Sequence, residues 1–221
     1  MINATQSVDT HEMVVVHRVF RRELRMLPDL ILGVPHGDRA RAAVVAEHLS
    51  DMTHALHHHH TAEDTLLWPV LLRRIGDNPL VPRMQRQHEQ LAALLDQVDK
   101  LTPRWRDAAD AATGRELAHT IGQVSAALAE HLHDEEHDIL PLVARHVTHQ
   151  EWQALGEYGR RVIPKNSKAF VFVGLVLEEA DQAERDAFLS QMPAPIRWAW
   201  RLAGDRVYRK AMAKIRGSAG R

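Results

Sequence analysis

The sequence predicts an all-α chain, with an up-and-down four-helix bundle over residues 9–147 and a further C-terminal helical extension over 148–221. Apolar residues recur at helical spacing through most of the chain, and strand-like alternation is nearly missing. Capping residues and Gly/Pro breaks divide the periodic stretches into helices with short links, which pack most simply up and down. One pattern of histidine, glutamate and proline also occurs twice, in register, on two of these helices.

Asp9 with Glu12 can cap a first helix whose inward stripe is Met13, His17, Phe20, Leu24 and Leu27, stopping at Pro28. After a turn-rich stretch with Gly33, Pro35 and Gly37, a second helix runs from about Asp38 to the break at Gly76, Asp77, Asn78 and Pro79. Met52, Leu56, His59, Glu63, Leu66 and Val70 share one of its faces. The third helix has Met84, His88, Leu91, Leu95 and Val98 inward and ends before Pro103. Thr113 with Glu116 reads as the capping box of a fourth, which turns Val124, Leu128, His131, Glu135, Ile139 and Leu142 to one side. In the extension, Thr148 with Glu151 and Asp181 with Glu184 are two more capping boxes, and with Pro164, Pro193 and Pro195 they delimit three or four helices. The run 169–177, AFVFVGLVL, is too short to span a bilayer and reads as packing on the bundle or on a second subunit. Trp198, Trp200 and Tyr208 read as an aromatic packing cluster.

The chain's 28 basic and 29 acidic residues nearly cancel, so no general attraction to nucleic acid or an anionic membrane is expected. Met1 to Glu12 carry neither a basic start nor an apolar run, and the expected location is cytoplasmic. Cysteine is absent, which removes disulfides and thiolate sites, so a metal would have to use nitrogen and oxygen ligands. Sixteen histidines supply the nitrogen.

His59, Glu63, Asp64 and Pro69 are matched by His131, Glu135, Glu136 and Pro141 at a constant offset of 72 (131 − 59, 135 − 63, 141 − 69). A lone inward histidine precedes each copy, His17 by 42 residues (59 − 17) and His88 by 43 (131 − 88). Residues four apart on a helix project from one face, so each copy offers an imidazole and a carboxylate toward one point. A single such pair is weak evidence; its repetition with the proline and the upstream histidine is strong. Polar residues satisfied inside a bundle would be the blander explanation. Burying two carboxylates and four imidazoles without a cation costs several kcal/mol per charge, and metal ions remove that cost.

The segments VHRVFRREL, HHHHTAEDTLLWPVL, RQHEQLAALL and HLHDEEHDILPLV resemble the four helices of the hemerythrin family, in its HHE cation-binding branch. The resemblance implies an oxo- or hydroxo-bridged di-iron centre, iron in preference to manganese or zinc, with His17, His59, His88 and His131 as terminal ligands and Glu63 and Glu135 as bridges. It implies no catalytic residue beyond the ligands. His59 is chosen from the run His57 to His60 because it alone lines up with His131; whether His58 or His60 replaces it or adds a ligand stays open. Oxygen-carrying hemerythrins have a further histidine where this chain has Ala92, and a site with fewer imidazoles and more open positions would favour reaction with peroxide or nitric oxide. The implied function is therefore a non-haem di-iron protein of oxidative stress that reacts with hydrogen peroxide, O2 or NO in a catalase-like way. The alternative is an O2, NO or iron sensor or carrier without turnover. Small molecules are the expected partners, with no nucleic acid, no membrane, and a possible homo-oligomer through the extension.

Five other residues have blander readings. His57 and His133 point to solvent, Asp64 and Glu136 lie behind the ligands or at the surface, and His48 is a satisfied core histidine. His58 and His60 flank the ligand face as hydrogen-bond partners, and Pro69 and Pro141 kink their helices.

Overall fold

A computed structural model describes residues 7–76, 78–163 and 168–217, and every regular element among them is a helix. Met1 to Gln6, Asp77 and Pro164 lie outside the described residues. Among the described residues two compact units are formed, one from 7–10 and 20–162, the other from 11–19, 163 and 168–217.

In the first unit, α1 (His11–Leu32) contributes its residues from Phe20 onward. It is joined by α2 (39–75), α3 (Leu80–Ala108), α4 (111–146) and α5 (His149–Gly159). Side-chain pairs fix an antiparallel ring. Glu23 of α1 meets His48 of α2, Asp64 of α2 meets His88 of α3, Gln87 of α3 meets Asp134 of α4, and Arg21 of α1 meets Glu136 of α4. The expected inward stripes of α1 and α3 are buried from end to end, with Leu24, Leu27, Met84, Leu91 and Val98 at or near zero exposure. Burial of such side chains at about 1.5–3 kcal/mol each is what holds the bundle together.

Two expected helix ends are corrected. The first helix continues through Pro28 to Leu32 and α3 through Pro103 to Ala108. Proline removes one helical hydrogen bond in each case. The added turns bury Ile31 and Trp105, at 2% exposure each, and this burial offsets the loss. Two expected caps also move. Thr10, one residue after the expected cap, stands at the N-cap position of α1 and makes no side-chain cap bond. Asp110, in extended conformation, caps α4 by accepting from the backbone N–H of Ala112 and Thr113, which places Thr113 inside the helix. Asp38 caps α2, and Thr148 with Glu151 caps α5, as their sequence implies.

Helices α2 and α4 each contain a π turn at the same place in the repeated pattern. It spans Glu63–Leu67 in α2, followed by Trp68–Ile75, and Glu135–Ile139 in α4, followed by Leu140–His146. Proline six residues after each glutamate is the local cause. A proline ring clashes with the carbonyl four residues before it, and a wider turn relieves that clash. The expected kinks at Pro69 and Pro141 are thus taken up as π turns. The extra residue also rotates the following face by one position, so Leu67 and Leu71 are buried rather than Leu66, and Val143 rather than Leu142.

The second unit holds the start of α1 together with α6 (Lys168–Glu179), α7 (Gln182–Ser190) and α8 (194–216). Helix α8 is continuous, with a π turn at Trp200–Gly204. The apolar run 169–177 lies in α6 and packs on α8, with Val173, Gly174 and Leu175 buried. Gly174 admits that contact because a Cβ there would stand 2.2 Å from the Tyr208 ring. Tyr208 donates to Glu178 at 2.6 Å, and Arg216 forks onto the same carboxylate. Asp181 and Glu184 form the expected capping box, and Glu184 also receives His11 and Arg18 of α1 at 2.5 and 3.0 Å. The three tail aromatics do not cluster: Tyr208 is buried on Gly174, Trp200 faces Phe170 at 6.2 Å, and Trp198 is 62% exposed.

Candidate metal centre

The π turns begin at the two glutamates, so both carboxylates enter the core where the helices are widest. Glu63 and Glu135 are fully buried. Around them the first unit gathers two sets of donors. His60, Glu63, His88 and His131 each offer an atom within 4.8 Å of all the others, and so do His59, Glu63 and Glu135. Glu63 belongs to both sets. Its oxygens lie 3.2 Å from His59 Nε2 and 3.4 Å from His88 Nε2, and Glu135 lies 3.7 Å from His131 Nε2. His17 is fully buried on α1, on the face that carries Phe20 and Leu24.

The donors face inward because a second layer holds them from behind. His88 Nδ1 meets Asp64 Oδ1 at 2.8 Å, and His131 Nδ1 meets Gln87 Oε1 at 3.2 Å. The Gln87 amide is oriented in turn by its N–H, which donates to Asp134 at 2.9 Å. Both acceptors are oxygens, so each imidazole carries its proton on Nδ1 and presents a lone pair at Nε2. Those two Nε2 atoms stand only 3.2 Å apart. Two lone pairs at that distance repel unless a proton or a cation lies between them. Donors bound at right angles to one metal through bonds of about 2.1 Å are separated by about 3 Å. The donor set therefore fits a cation.

Charge in the site points the same way. Burial pushes the Glu63 carboxyl above its ordinary range, with His88 partly opposing the shift. Burial alone would lower His88, but hydrogen bonds and charge from Asp64 and Glu63 raise it to about 9. In the absence of metal these groups share protons that a cation would displace.

The run of four histidines is sorted by the fold. His59 pairs with Glu63, and its ring meets Phe20 at 5.4 Å. His60 is buried, stacked on His88 at 4.2 Å and edge-on to His131 at 5.0 Å. His60 thus places an imidazole among the donors beside Ala92, the alternative that the run of histidines left open. His58 turns away, stacking on Tyr158 with Nε2 2.8 Å from its carbonyl oxygen. His57 is exposed, as is His133, which stacks on His137. Asp64 stands behind His88 as read, Glu136 pairs with Arg21, and His48 is satisfied by Glu23 at 2.8 Å. Gln87 was missed, since a glutamine one residue before a histidine carries no signal in sequence alone.

A cavity of about 240 Å³ reaches the centre from between α2 and α3. Ala92 lines it, with His57, Asp64 and Glu89, and His60 and His88 form its inner wall. A small polar molecule can therefore approach the His60 and His88 side without displacing a helix.

Fold and site define a class: an α-helical bundle that brings buried imidazoles and carboxylates together around a cation. The hemerythrin HHE cation binding domain matches residues 8–143, and the chain belongs to that family, whose members bind metal cations, typically iron. No curated protein and no solved structure matches the chain.

Proposed function

We propose that this chain is a cytoplasmic non-haem di-iron protein whose centre reacts with small oxidants, hydrogen peroxide above all. The observation that carries the proposal is the sharing of Glu63 between two donor sets. His60, His88 and His131 would hold one ion and His59 another, with the Glu63 and Glu135 carboxylates available to both. His17 is the remaining donor of the second position. In support, Phe20 lies one turn further along the same face of α1 and packs on His59. Bound iron would supply redox chemistry and Lewis acidity. The chain's own residues do the rest. Asp64 and Gln87 lock the tautomers of His88 and His131, the buried walls limit water, and the Ala92 cavity offers polar side chains to a peroxide-sized molecule.

A second reading is reversible binding of O2 or NO for sensing or transport, and His60 favours it because it restores a full set of imidazoles. The discriminating experiment is iron content per chain with visible absorption before and after hydrogen peroxide. Two irons, a spectrum that changes and recovers, and evolved oxygen support peroxide turnover. A stable adduct without turnover supports the carrier or sensor. Full peroxide decomposition by a metal-free Glu63→Ala variant would overturn both.

A further inference from the structure

Helix α8 has a composition unlike the rest of the chain. Between residues 197 and 216 it carries Arg197, Arg201, Arg206, Arg209, Lys210, Lys214 and Arg216 against a single acid, Asp205. The whole chain has a net charge of −1, so this one helix concentrates positive charge that acids elsewhere balance. Its N-terminal end is apolar and exposed. Leu202 is 81% exposed, Trp198 62% and Ile196 44%, and Pro193 and Pro195 just before them are exposed as well.

These features follow from how the helix packs. Tyr208 and Met212 are its buried face, against α6, so the opposite face is left to solvent. Arg201 and Leu202 lie three and four residues after Trp198, and Arg206 and Lys210 follow Leu202 at intervals of four; all five are exposed, along that outer face. An apolar tip with a tryptophan, followed by a band of cations, is what a helix lying in a lipid interface presents: the aromatic and aliphatic groups enter the acyl boundary and the cations meet anionic headgroups.

We infer that the outer face of α8 docks peripherally on an anionic membrane surface, with Trp198 and Leu202 inserting and Arg201, Arg206 and Lys210 at the headgroups. It does not cross, since no helix among the described residues is long and apolar enough to do so. Charge complementarity selects this occupant. A two-fold contact with a second copy through the same face would set these cations against themselves. A nucleic acid would use the cations but leaves Leu202, the most exposed large apolar side chain of the face, without a role.

The test is co-sedimentation of the full iron-supplied protein with vesicles of phosphatidylcholine alone and of phosphatidylcholine with phosphatidylglycerol. Binding only to the anionic vesicles, weakened by salt, is expected. Arg201→Glu with Arg206→Glu should lower it tenfold or more while iron content is unchanged, and Trp198→Phe should remove a blue-shifted part of the fluorescence on binding. Leu202→Ser, an exposed change that leaves the buried face intact, should weaken binding without altering helicity. Absence of binding to anionic vesicles would overturn the inference, as would binding untouched by the charge reversals. A salt-stable dimer broken by Leu202→Ser, or duplex DNA bound in preference to vesicles, would also overturn it.

Discussion

His60 and Glu63 illustrate how much one side chain can decide. His60 belongs to one donor set and Glu63 to both. On the proposed di-iron reading, His60→Ala should reduce iron from two toward one per chain, whereas Glu63→Ala should abolish loading, as read by metal analysis of protein from iron-supplied cells. Asp64→Asn leaves the ligands in place but weakens the hold on His88 Nδ1, and should lower metal affinity about 10- to 100-fold. Glu23 makes a different prediction. Burial would raise its carboxyl, but the His48 bond and charge, with help from Arg22, hold it at about 2 against an ordinary 4.5. A depressed folded-state pKa contributes stability that is complete above 4.5 and lost as pH falls toward 2, on the order of 3 kcal/mol for this shift. Urea unfolding across that window should therefore weaken more steeply for the native chain than for Glu23→Gln; equal slopes would refute the assignment.

Elements show where backbone and packing compromise. Pro28 sits inside α1 and costs it a hydrogen bond, so Pro28→Ala should stabilise the protein by about 1–3 kcal/mol in thermal unfolding without touching the site. Gly174 is the reverse case. Helix propensity favours alanine there, yet its Cβ would enter the Tyr208 ring. Gly174→Ala should therefore lose about 1–3 kcal/mol through strain between α6 and α8, seen as reduced hydrogen-exchange protection in those helices with iron content intact. The π turns are compromises of the same kind, since each sacrifices regular bonding next to a glutamate and a proline and in return turns the following face onto the core.

For the whole molecule, metal and stability are coupled. Glu63, Glu135, His17 and His131 are fully buried, and a bound cation would make that burial favourable. Iron that binds only the folded chain stabilises it by mass action, about 4 kcal/mol at a thousandfold excess over the dissociation constant. Chelation should then lower the melting temperature by several degrees in calorimetry, and re-addition of iron should restore it. A melting temperature indifferent to iron would argue against a cation at the centre.

Sequence by itself determined the all-α class, the inward stripes of α1 and α3, the capping boxes at Thr148 and Asp181, and the repeated histidine, glutamate and proline that mark the site. These are local properties: helical period, cap chemistry and ligand spacing are written in neighbouring residues. Tertiary structure decided the rest. Whether a helix ends at Pro28 depends on what Ile31 can bury beyond it. Which of four consecutive histidines turns inward depends on the rings of His88 and His131 from other helices, and so His60 joins the site while His58 leaves it for Tyr158. Gln87 becomes a support of His131 only because α3 lies antiparallel to α4. Whole-chain charge concealed the cationic face of α8, because a sum over residues does not record which of them a fold places side by side.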